Sequence, residues 1–81
     1  MTTEPLHQAM PLSMSTCGAR LRIACVRAGQ GSIRKVIDMG LISGTEIEVL
    51  QQQRGSVVIS AGNTRYALGA AMARQILVWP V

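Results

Sequence analysis

The chain has no phenylalanine, one tryptophan (Trp79) and one tyrosine (Tyr66), so its core has to be assembled from Val, Ile, Leu, Met and Ala. Without large rings to fill space, a small barrel is favoured over a broad sandwich, and a deep multi-substrate active site is excluded. Histidine occurs once, at His7, which leaves Cys25 without a second imidazole to act as its base and removes hydrolytic Cys/His chemistry. The two cysteines, Cys17 and Cys25, are too few for a disulfide framework, and their spacing matches neither a C-x-x-C redox motif nor a zinc ribbon. No apolar run approaches the ~18 residues of a membrane span, and Glu4 stands where a targeting segment would be basic, so a soluble cytoplasmic protein is expected. Acidic residues are also scarce, four against eight basic ones, giving a net charge of +4.

Seven of the eight basic residues are arginine, the side chain best suited to carboxylates and phosphates, and an acidic partner surface follows. With 81 residues there is one domain, which buries only roughly 60% of its unfolded surface. Residues 1–11 show no periodicity and read as a flexible arm, leaving 12–81 as the folded domain.

From Arg20 the chain alternates, with Leu21, Ile23 and Cys25 on a core face and Arg20 and Arg22 on a wet face. A helix over 32–39 follows, capped by Ser32, with Val36, Ile37, Met39 and Leu41 as its apolar groups and Gly40 at the left-handed stop. After the Gly44 turn, Ile47 and Val49 point one way and Thr45, Glu46 and Glu48 the other. Turns at Arg54-Gly55 and Gly62-Asn63 join this strand to Val57-Val58-Ile59 and to Thr64 through Leu68 as a meander. Ala70 to Arg74 makes about one helical turn before a last strand, Ile76 to Trp79, that Pro80 ends. The fold class expected is mainly β: a small SH3-like barrel of about five strands with one short helix and a helical turn before the last strand.

No catalytic constellation emerges. Glu46 and Glu48 share a face but read as a solvated strand surface. Glu4, His7 and Cys17 have no metal-ligand spacing, and Gly29-Gln30-Gly31 precedes a helix without a Walker lysine. No cofactor is implied. An interaction module remains, with Arg34 and Lys35 on the helix and Arg65 on the meander as the candidate contact residues. The alternative is a small β-barrel that binds nucleic acid, against which stands the want of an aromatic stacking platform.

Gly18 ahead of the first strand, Lys35-Val36-Ile37-Asp38-Met39-Gly40-Leu41 with Gly44 beyond it, Val57-Val58-Ile59, and Tyr66-Ala67-Leu68-Gly69 followed by Ala73 and Ile76 to Val78 together resemble the FeoA family across about residues 12–79. In that family the helix-to-strand motif usually begins with Arg and carries Pro before its last Gly, where this chain has Lys35 and Ser43. The resemblance implies an SH3-like barrel without catalysis, a cytoplasmic accessory of bacterial ferrous iron uptake that binds and regulates the FeoB membrane transporter through its cytoplasmic part. No nucleic-acid partner is expected, and contact with the membrane comes only through that transporter. A related domain occurs in metal-dependent repressors of the diphtheria toxin repressor type, but no helix-turn-helix segment is present here.

Overall fold

A computed structural model describes residues 9–27 and 29–81, with Gln30 and Ser32 as backbone alone. In chain order the elements are β1 (Met10–Pro11), a 3-10 turn (Leu12–Met14), β2 (Arg20–Val26), α1 (Gln30–Asp38), β3 (Glu46–Gln53), β4 (Ser56–Ala61), β5 (Thr64–Leu68), α2 (Ala70–Gln75) and β6 (Ile76–Pro80). All neighbouring strands run antiparallel in one sheet of order β1-β6-β2-β3-β4-β5. The fold is the mainly β, SH3-like class that the sequence predicts. The sheet has six strands and is open, its edges being β1 and β5.

The sixth strand comes from Met10 and Pro11, placed in the arm by the sequence reading, which pair with Val78 and Leu77 of β6. Two residues carry no readable alternation, and a proline, having no N–H to donate, is tolerated at such an edge. Pro80 likewise lies inside β6, opposite Leu21. Residues 1–8 of the arm lie outside the described residues.

The core is wholly aliphatic, formed by Leu12, Leu21, Ile23, Val36, Leu41, Ile47, Val49, Val57, Ile59, Leu68, Ala73, Ile76 and Val78. Alternation along the strands delivers most of these side chains to one face. The β2 alternation holds only to Ile23. A β-bulge between Ile23 and Cys25 opposite β6 turns Ala24 inward and leaves Cys25 half-buried outside the core cluster, against the sequence expectation. Thr45 precedes β3, and its hydroxyl accepts from the Ile42 N–H and donates to the Gly40 carbonyl.

Helix α1 starts two residues before the Ser32 cap predicted, with Gly29 as N-cap and no side-chain cap bond. Its other end is the stop that the sequence predicts. Gly40 adopts φ +80°, the Leu41 N–H donates to the Val36 carbonyl at 3.1 Å, and the Gly40 N–H donates to the Ile37 carbonyl at 2.8 Å. This Schellman closure folds Leu41 back beside Val36, and both are fully buried. The Arg54-Gly55 turn has φ of +53° and +87°, the pattern of a type I′ hairpin turn.

Gly40 and Gly55 differ in what surrounds them. A Cβ at Gly40 meets nothing within 4 Å, whereas one at Gly55 lies 3.3 Å from the Ala70 Cβ. Urea unfolding is therefore expected to show Gly40→Ala losing about 1 kcal/mol from the left-handed backbone alone, and Gly55→Ala about 2 kcal/mol because crowding is added.

Candidate protein-docking site

The candidate surface rests on how α1 is held. Val36 points into the core and Leu41 follows it through the C-terminal closure. From the sheet, the Tyr66 hydroxyl of β5 donates to the Met39 carbonyl at 2.7 Å. One of the two aromatic side chains thus satisfies a helix-end carbonyl that would otherwise lack a partner.

Turning inward at Val36 fixes what α1 shows to solvent. Ile33, Arg34, Ile37 and Asp38 line a shallow groove on its outer side, and Ile37 is 55% exposed although its spacing suggested a core role. At about 100° per residue, Ile37 sits on the helix flank beside Arg34, while Lys35 lies about 160° round from Ile37 on the opposite flank. Arg34 and Lys35 are both exposed, but only Arg34 joins the groove. Ile42, in the loop after the helix, is 53% exposed.

Arg65 is exposed on β5 directly before the half-buried Tyr66. Successive side chains leave opposite faces of a strand, so Arg65 leaves the face away from the one that holds α1. The fold therefore separates Arg65 from Arg34 and Lys35.

Arg20 and Arg22 are not part of a purely basic face either. Register sets Arg20 against Glu48 and Arg22 against Glu46, and the Arg22 guanidinium reaches the Glu46 carboxylate at 3.2 Å. The two glutamates that share a face of β3 balance two arginines across β2 and β3.

Among the described residues no group of three or more His, Cys, Asp or Glu is placed to hold a metal. Cys17 is exposed, its thiol directed to the Leu50 carbonyl at 3.1 Å. Glu4 and His7 lie outside the described residues.

Two features escaped the sequence reading. Ser43, standing where the related motif carries proline, donates its hydroxyl to the Ala24 carbonyl at 2.9 Å, while the Gly44 N–H donates to the Ile23 carbonyl at 2.8 Å. The loop is thus pinned to the bulged part of β2 by a bond that proline could not make. The half-buried Ile33 and the exposed Ile37 were signalled as a pair by their four-residue spacing, but a helix begun at Ser32 placed Ile33 at its fraying start.

The FeoA domain profile matches residues 10–80. The chain belongs to the FeoA family. This FeoA chain is 29% identical over 68 residues to a Methanocaldococcus jannaschii protein provisionally assigned as Fe(2+) transport protein A, covering 84% of this chain and 83% of that one. The crystal structure of an iron uptake regulatory protein, FeoA, superimposes with a TM-score of 0.83 at 28% identity, over 90% of this chain and 99% of that chain. A manganese-dependent transcriptional repressor superimposes with a TM-score of 0.85, covering all of this chain (100%) and 45% of that one, and at 20% identity it shares the fold. The family is one of Fe(2+) transport accessory proteins. No described helix is long and apolar enough to cross a membrane.

The Tyr66 bond is a measurable feature of this FeoA chain. Tyr66→Phe is expected to remove about 1 kcal/mol of local stability and so to speed hydrogen exchange of the amides at the C-terminal end of α1 about fivefold, with smaller changes in the β2 and β4 amides.

Proposed function

We propose that this protein is a non-catalytic cytoplasmic accessory of ferrous iron uptake that docks on the cytoplasmic part of a FeoB-type transporter. The observation that carries this reading, beside family membership, is the pair of exposed cations on α1, Arg34 and Lys35, which have no carboxylate partner among the described residues of the kind Arg22 has in Glu46. Unpaired arginine and lysine on a helix held by one buried residue and one hydrogen bond present positive charge to an acidic protein surface. Arg65, on the other side of β5, contributes a second and separate contact. Docking regulates the transporter only where its affinity differs between transporter states, as between nucleotide-bound and nucleotide-free forms.

The nucleic-acid alternative is less favoured. Tyr66 spends its hydroxyl on α1 and is half-buried, as is Trp79 on β6, so the two aromatic side chains make no exposed stacking platform.

The deciding experiment is calorimetric titration of the transporter's cytoplasmic region from the same source, with and without guanine nucleotide, at low and moderate salt. Saturable binding that weakens with salt is expected, and Arg34→Glu with Lys35→Glu should weaken it about tenfold. Absence of binding in every nucleotide state would overturn the reading.

A further inference from the structure

The groove on α1 contains both signs of charge. Arg34 and Asp38 are one helical turn apart, both on the same side of Ile37 around the helix, and neither has an ion-pair partner among the described residues. A face built only for an acidic partner gains nothing from Asp38. A face built to meet its own copy needs both, because a two-fold interface brings residue i of one chain to residue j of the other and j to i.

Laying two α1 helices antiparallel by their outer faces, across a two-fold axis at the height of residue 36 along the helix, brings Arg34 of each toward Asp38 of the other. Ile33 and Ile37 then fall in the seam, as ridges do when helices pack 8–10 Å apart. Ile37, 55% exposed, and the half-buried Ile33 would be removed from water by this contact.

We infer that the outer face of α1 is a self-complementary docking surface for a second copy of this chain, with reciprocal Arg34–Asp38 pairs flanking an isoleucine seam. One face of a nine-residue helix offers much less than the ~800 Å² per partner of a stable interface, so the dimer is weak, with a Kd of ~0.1–1 mM. Because Arg34 belongs also to the proposed transporter contact, the two associations compete, but the dimer does not depend on that contact.

Sedimentation equilibrium of the full chain up to about 1 mM tests this. The wild type should show an apparent mass that rises with concentration, and Ile37→Ser should remain monomeric. Arg34→Asp and Asp38→Arg should each weaken association about tenfold, since each sets like charges together twice per dimer. An equimolar mixture of these two variants should recover the wild-type level, because the mixed dimer restores both attractive pairs. Thermal unfolding of each variant checks that these exposed substitutions leave the fold intact. A wild type that stays monomeric throughout, an association indifferent to Ile37→Ser, or a mixture no stronger than its components would each overturn the inference.

Discussion

The closure at the end of α1 is the constraint on which the rest of the surface depends. Gly40 in the left-handed region lets the Leu41 N–H return to the Val36 carbonyl, and that single geometry sends two side chains into the core together. With Val36 turned in, the remaining helix positions are assigned by rotation: Ile33 and Ile37 to one flank beside Arg34 and Asp38, Lys35 to the other. The same turn launches the chain toward β3, and the bonds from Ser43 and Gly44 to β2 hold it there. The helix, the loop and the strand entry act as one unit.

Charge is distributed by the same logic. On the sheet, cross-strand register neutralises arginine with glutamate, so β2 and β3 carry four charged residues with little net field. On the helix no such register exists, and Arg34 and Lys35 keep their charge for solvent or a partner. A net charge of +4 is therefore less informative than its location. Arg20 and Arg22 lie opposite glutamates in the sheet, whereas Arg34 and Lys35 stand exposed on the helix.

Much of the fold was legible because it depends on neighbours in sequence. Alternation marked the strands, Arg54-Gly55 and Gly62-Asn63 marked the hairpins, and Gly40 marked the helix stop, since left-handed backbone is a local property of a residue. What was not legible depends on residues far apart. β1 exists only because β6 offers it an edge, and the bulge at Ala24 exists only in the pairing of β2 with β6, which removed Cys25 from the core. The candidate site was half visible: Arg34 and Lys35 were recognised as exposed cations, while their separation around the helix, and that of Arg65 across β5, required knowing which way Val36 and Tyr66 point.

By itself the sequence determined the element types, the aliphatic core and the membership of a family, because period, turn chemistry and composition act over a few residues. The tertiary structure alone decided that Tyr66 spends its hydroxyl on Met39, that Ser43 bonds Ala24, and that Ile37 faces water. Each of these follows from the packing of segments about 20 or more residues apart or from the rotation of a helix about its axis, and local sequence encodes neither.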